Sequence, residues 1–190
     1  LGHDLAWDGN VGTDGQHTLA CSRCDHTEKA DCNIVNGKCS VCGYEQKPAG
    51  ETVTYLDRNW DETNKKVVEK LETAQAAEID SNTVSLEGGW YVVDGNITVN
   101  NRIVVNGTPD NPTRIILADG CKLTASSGIT VNSDKALVIY GQTGETGILE
   151  AIGGDNAAGV GGQSGAAGGT VIVNGGTVNA TGGRNSAGIG

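Results

Sequence analysis

The chain of 190 residues contains 30 Gly, no Phe and no Met, and aromatic residues make up 4% of it. A thick two-layer core needs large aromatic and flexible side chains to fill its middle, so Val, Ile, Leu, Ala and Thr must here build a thin, repetitive interior, and a helical bundle is disfavoured. Thirteen Lys and Arg against 23 Asp and Glu leave a formal charge of -10, which argues against nucleic acid or anionic lipid as the main partner, and no window reaches the roughly 18 apolar residues of a membrane span.

The sequence begins at Leu1 without an initiator Met or a signal-type apolar region, and reads as a mature or excised segment. Residues 1–50 are polar, rich in Gly and Asp and without apolar periodicity, so hydrophobic burial cannot account for a fold of that size. They carry every cysteine except Cys121, and all three histidines. Cys21-Ser22-Arg23-Cys24 and Cys39-Ser40-Val41-Cys42-Gly43 form two CxxC pairs, with the stretch from Asp25 to Lys38 as the spacer between them. Each pair presents two thiolates from a tight turn, and the four sulfurs together suit tetrahedral zinc. Gly43 supports the pattern, because a backbone amide turning toward sulfur needs an unhindered residue there. Four thiolates leave no open position for substrate, which makes such a zinc structural and not catalytic. Calcium has no motif in its support.

Disulfides are the competing arrangement, with Cys21 or Cys24 cross-paired to Cys39 or Cys42. His3, His17, His26 and Cys32 are further donors that could replace one of the four thiolates or form a second site, although each His taken alone reads more simply as a solvated turn residue. Pro48-Ala49-Gly50 reads as a linker.

Residues 51–89 read as a connecting or capping segment. Val53-Thr54-Tyr55-Leu56 predicts a short strand. Asp61 could cap a helix from Lys65 to Ala77, with Val67, Val68, Leu71 and Ala74 on one stripe. The alternative is extended structure throughout, since Val67-Val68 and Thr73 are weak helix formers.

Residues 90–190 repeat themselves. Ile97-Thr98-Val99-Asn100 recurs as Ile129-Thr130-Val131-Asn132, and Val171-Ile172-Val173-Asn174 is a close third copy. Gly147 to Gly161 matches Gly176 to Gly190 at an offset of 29, with Gly147, Ala151, Gly153, Gly154, Asn156, Ala158, Gly159 and Gly161 identical to their partners. Leu137 to Gly141 aligns with Val171 to Gly175 at an offset of 34, the difference being the turn Gln142-Thr143-Gly144-Glu145-Thr146. A period between 20 and 50 residues, carried by short alternating segments with turns between them, predicts an all-β solenoid, a parallel β-helix. Asn100, Asn106, Asn132, Asn174 and Asn179 fall at strand ends, where left-handed backbone favours Asn, and stacked amides could link one coil to the next. Cys121 reads as a small hydrophobe facing inward. The sequence stops inside a repeat at Ala187-Gly188-Ile189-Gly190, which predicts an open C-terminal edge capable of end-to-end contact.

Gly88-Gly89-Trp90-Tyr91-Val92-Val93-Asp94-Gly95-Asn96-Ile97-Thr98-Val99, Ile116 to Ala125, Ile139-Tyr140-Gly141-Gln142 and the Gly-Gly-x-Asn-x-Ala-Gly repeats resemble the right-handed β-helix segments of large surface proteins from gut-dwelling Gram-positive bacteria. Residues 1–44 resemble the small Cys and His modules that accompany them. The resemblance implies a secreted, modular protein of the bacterial cell surface, with an adhesin-like or glycan-binding role toward a host or dietary glycan or a host surface protein.

Enzymatic activity is not expected. A β-helix lyase or glycosidase needs clustered carboxylates, or Asp around calcium with a basic residue. Asp94, Asp110, Asp119 and Asp134 fall in separate turns, and each reads more simply as a turn former. A purely structural stalk is the third reading. Trp90, Tyr91 and Tyr140 are the coil-region aromatics that could stack on sugars or cap the solenoid.

Overall fold

Short strands separated by turns account for the described chain, as its alternating apolar and polar residues dictate. The structure is a computed structural model describing residues 3–10, 16–35, 38–43, 50–163 and 165–190. There is no helix among them. The chain divides into two compact units, Leu1–Ala49 and Gly50–Gly190; Pro48 and Ala49 of the expected linker lie outside the described residues.

In the first unit, β1 (Leu5–Trp7), β2 (Gln16–Cys21) and β3 (Thr27–Asp31) form an antiparallel sheet in that order, and β4 (Ile34–Val35) pairs with β5 (Lys38–Cys39). Among the residues of this unit whose burial is described, the buried ones are His17, Cys39 and Cys42. All three are metal-ligand residue types.

The second unit opens with a long hairpin of β6 (Glu51–Asp61) and β7 (Lys66–Glu78), paired from Glu51↔Ala76 to Asp61↔Lys66. Twelve short strands then follow. β8 (Ser85–Leu86), β9 (Gly89–Val93), β10 (Asn96–Val99), β11 (Ile103–Val105), β12 (Thr113–Leu117) and β13 (Lys122–Ala125) make the first two turns of a β-solenoid. β14 (Ile129–Val131), β15 (Ala136–Gly141), β16 (Ile148–Ile152), β17 (Val160–Gly161), β18 (Thr170–Val173) and β19 (Thr177–Thr181) make the next two. The strands stack in parallel on three faces: β8-β11-β14-β17 on the first, β9-β12-β15-β18 on the second, β10-β13-β16-β19 on the third. Inward-facing Ile, Leu and Val from all three faces form one continuous core, and Cys121, 2% exposed, belongs to it.

The stacking reproduces the two long repeats in register. Leu149 lies beside Val178 and Ala151 beside Ala180, at the offset of the Gly-rich repeat. Leu137 lies beside Val171 and Ile139 beside Val173, at the offset of the longer one. The Ile-Thr-Val-Asn copies do not stack. Ile97 belongs to β10 on the third face, Ile129 to β14 on the first and Val171 to β18 on the second. The motif describes how a strand reaches a corner on any face, not which strands are neighbours.

Two corners bend the same way on successive turns. Between second and third faces the left-handed residues are Gly95 (φ 84), Gly120 (φ 79), Glu145 (φ 52) and Gly176 (φ 74). Between third and first faces they are Gly128 (φ 79), Asn156 (φ 56) and Asn185 (φ 59). Gly and Asn accept this conformation at low cost, which explains why Gly-Gly-x-Asn-x-Ala-Gly recurs. The expectation for Asn100, Asn106, Asn132, Asn174 and Asn179 is corrected: among the described residues the left-handed Asn are Asn156 and Asn185. Asn106 instead donates its amide to Ser85 Oγ and Glu87 Oε1.

The helical alternative for residues 65–77 is likewise overturned, since β7 is extended throughout. Val67, Val68 and Leu71 stay exposed, and the segment gains its order from pairing to β6. Asp61 does cap, but it caps a hairpin turn: its Oδ1 accepts from the amides of Thr63 and Asn64. The end of β7 joins β9 in parallel at Ala77↔Tyr91, and the hairpin covers the outer side of the second face. Val53, Tyr55 and Ala76 pack there against Val92, Ile116, Val138 and Tyr140. Gln142 Nε2 donates to Thr54 O at 3.1 Å, and Arg58 pairs with Glu69 and Glu145 while donating to Asn174 O. Trp90 and Tyr140 therefore lie against Tyr55, with ring centroids 4.5 and 4.8 Å from it. Tyr91 faces the inner core.

Candidate metal centre

The first unit is organised by the β2–β3 hairpin. Its register, Gln16↔Asp31 through Ala20↔Thr27, runs the length of β3. Cys21, Cys24 and His26 lie at the tip, and His17 and Cys32 lie toward the base. At about 3.3 Å per residue the five residues of β3 separate tip from base by roughly 16 Å. The spacer between the CxxC pairs thus contains a strand, β3, which holds the two pairs apart.

The sequence-predicted donors accordingly fall into two clusters. Cys39 and Cys42 join His17 and Cys32, with their ligand atoms within 4.8 Å of one another. Cys21 and Cys24 join His3 under the same limit. His26 stacks on His3, centroids 3.9 Å apart and planes at 12°.

The base cluster has the dimensions of a coordination shell. Cys32 Sγ lies 3.7 Å from Cys42 Sγ and 3.7 Å from His17 Nδ1, and Cys39 Sγ lies 3.9 Å from His17 Nδ1. Tetrahedral zinc with its usual bond lengths has edges of about 3.8 Å between sulfurs and about 3.6 Å between sulfur and nitrogen. The six cysteines carry no disulfide, and the 3.7 Å separation of the Cys32 and Cys42 sulfurs matches the length of such an edge.

Local backbone explains the placement. Gly43, at φ 73, closes the Cys39–Cys42 turn, but its amide is turned onto Cys39 O at 3.0 Å and not onto sulfur as the sequence suggested. The amides of Cys42 and Val41 point at Cys39 sulfur and draw its thiol down to about 6. Burial, then the neighbouring Cys39 and Cys42, push Cys32 up to about 12. Three thiolates cannot all ionise in so small a volume without a cation, and a divalent ion would compensate them. At the tip, the Arg23 amide, then Cys24 and His3, draw the Cys21 thiol down to about 6.

His17 and Cys32 were legible only as spare donors. The signal for their grouping is the pairing of β2 with β3, which returns the chain from the tip to His17 just before Cys32. The arrangement can hold a metal ion in a closed Cys3His shell. Comparison with protein-family models, curated proteins and solved structures gives no match for this chain.

Proposed function

We propose that the chain is a non-catalytic module of a bacterial cell-surface protein. In this reading a small unit built around structural zinc accompanies a β-solenoid that displays its open third face to a host or dietary glycan or a host surface protein. The Cys3His donor set favours zinc over calcium, which takes oxygen ligands.

The observation that carries the reading is the unequal cover of the faces. The second face lies beneath the hairpin, whereas the third alternates less and more accessible residues along each strand. Its outward positions Thr98, Thr124, Glu150 and Asn179 are direct neighbours on successive turns. They form a row of hydroxyl, carboxylate and amide groups about 4.8 Å apart, a pattern suited to a polyhydroxylated chain. Lys122 and Glu150 pair across the same surface at 2.7 Å. Against a lyase or glycosidase, Asp119 is engaged in holding a turn, accepting from the amides of Gly144 and Thr146 at 2.9 and 3.2 Å and from the Thr146 hydroxyl.

The test is a glycan array and host-protein panel probed with the whole chain, beside Thr124→Arg and Asn179→Arg variants. A ligand bound by the parent and lost by folded variants supports the reading. Absence of any binder at millimolar concentration overturns it in favour of a stalk, and release of unsaturated sugar ends overturns it in favour of a lyase.

A further inference from the structure

The geometry points to a second metal site at the tip of the β2–β3 hairpin, held by His3, Cys21 and Cys24 and completed by His26, so that the first unit is a two-metal module. The site stands apart from the His17 cluster and does not depend on it.

Three donors are already assembled. The ligand atoms of His3, Cys21 and Cys24 lie within 4.8 Å of one another, and His3 Nδ1 stands 3.4 Å from Cys24 Sγ, close to the about 3.6 Å expected between nitrogen and sulfur on tetrahedral zinc. The two sulfurs leave a tight turn, and its closing hydrogen bond runs from the Cys21 amide to His26 O at 2.9 Å. The Arg23 amide is directed at Cys21 sulfur, as the Val41 and Cys42 amides are at Cys39 sulfur in the base cluster. The same local device therefore occurs at both CxxC pairs.

The remote donor is also fixed in place. His3 precedes β1, and Asp4 ties that segment to the tip: its carbonyl accepts from the Ser22 amide and its carboxylate from the Ser22 hydroxyl, both at 3.0 Å. β1 then pairs with β2 beside the site, Leu5 opposite Cys21.

His26 supplies the fourth position. Its ring lies against that of His3, and its Nε2 meets Glu28 Oε1 at 2.9 Å. A ligating imidazole commonly gives its other ring nitrogen to a carboxylate, which fixes the tautomer and raises the basicity of the ligating atom. Glu28 is placed for that part, leaving Nδ1 of His26 for the ion once the ring turns out of the stack. The site would be Cys2His2 and more exposed than the base cluster, since His3 and Cys24 are exposed, whereas His17, Cys39 and Cys42 are buried. The two ligand sets are interleaved in sequence, because His17 lies between His3 and Cys21. Both draw on β2, which carries His17 and Cys21.

The test uses the whole chain, stripped with a chelator and reloaded with zinc for elemental analysis, or with cobalt(II) for its thiolate charge-transfer and ligand-field bands. Two ions per chain are expected. Cys24→Ser should leave one, Cys42→Ser should remove the other, and His26→Gln should weaken the tip ion at least tenfold while sparing the base ion. One ion per chain with no response to Cys24→Ser overturns the site; unchanged affinity in His26→Gln overturns the assignment of the fourth ligand. Because a cysteine variant can unfold the unit, alkylation of the unaltered chain is the second measurement. Cys21 and Cys24 should become protected only with the second equivalent of zinc, and full-rate labelling at two equivalents overturns the site.

Discussion

Arg102 is placed to test whether the turns of the solenoid are tied together by side chains as well as by their ladders. Its Nε donates to Thr130 Oγ1 at 2.6 Å, Nη1 to Ser127 O at 2.7 Å, and Nη2 to Ala158 O at 3.0 Å and Ile129 O at 3.3 Å. Its acceptors therefore belong to the two succeeding turns. Burial lowers its pKa, so partial desolvation of the cation opposes the bonds it makes. Three sound bonds to a charged donor would contribute about 1.5–3 kcal/mol each if fully buried. The half-exposed guanidinium and about 2 kcal/mol of ordered side chain reduce the sum, and Arg102→Ala is expected to cost about 2–3 kcal/mol. For a chain of this length that is a fall of roughly 4–12 °C in Tm. Arg102→Lys, a point donor without the fork, should recover less than half. Gly128 offers an independent check, because a Cβ there would stand 2.7 Å from Arg102 Nη1 at a φ of 79; Gly128→Ala should displace the same side chain, so the double variant should cost less than the sum. The two units need not unfold together, so the assay is hydrogen exchange at the amides of Ile129 and Val160, which donate to Gly159 O and Gly188 O. A loss below about 0.5 kcal/mol at both amides, the usual range for an uninvolved surface position, would refute the reasoning.

Asp119, held below the ordinary carboxylate range first by the Gly144 amide and then by Thr146, has a depressed folded-state pKa. It stabilises the fold above about pH 3.8 and loses that contribution as pH falls through the folded value. The Tm gap between the parent and Asp119→Asn should thus be present at pH 5 and close toward pH 2; a constant gap would contradict it. Cys121→Ser places a hydroxyl in the apolar interior and should cost about 1–3 kcal/mol by urea unfolding, while the native Cys121 thiol should stay unreactive to a thiol reagent until the solenoid unfolds. Tyr55→Ala removes the ring that meets Trp90 and Tyr140 and should cost about 3–5 kcal/mol, read as lost protection in β6 and β7 ahead of β12. Chelation should collapse the amide dispersion of residues 16–43 and leave residues 50–190 unchanged, since metal affinity is folding free energy for a unit with so little apolar burial.

The solenoid was readable where sequence similarity and stacking share one register. The offsets of the two long repeats are the spacings at which Leu149 meets Val178 and Leu137 meets Val171, because equivalent strands must repeat both alternation and corner chemistry. The letter-for-letter repeat Ile-Thr-Val-Asn misleads for a physical reason: three faces impose the same requirement, an inward pair of β-branched residues followed by a turn, so identity between faces carries no register. The hairpin was hidden differently. Val67, Val68, Leu71 and Ala74 carry a helical spacing, yet β-branched residues opposite an eleven-residue partner strand gain more from the ladder than from a single helical stripe with nothing beneath it. In the first unit the donors were all visible and their grouping was not, since counting residues between CxxC pairs says nothing about whether those residues form a loop or a strand.

The two units meet the same shortage of large side chains by opposite means. The first has its described buried positions at His17, Cys39 and Cys42, a donor set able to order the unit through a few strong, local bonds once it holds an ion. The second distributes its order over repeated contacts, so that each turn adds a similar increment through the layer above and below it. The increments are unequal in one respect. β15 is buried along its whole length between the inner core and the hairpin, while β18 and β19 alternate only exposed and intermediate positions. Cover by the hairpin therefore sets where the second face is most completely buried, at the third turn, and the polar row of the third face is backed by inward Val99, Leu123, Ala125, Leu149 and Ala151. The binding proposed for that row would need no mobile loop: its groups are spaced by the hydrogen-bond ladder itself, and the residues that set the spacing are separate from the outward ones.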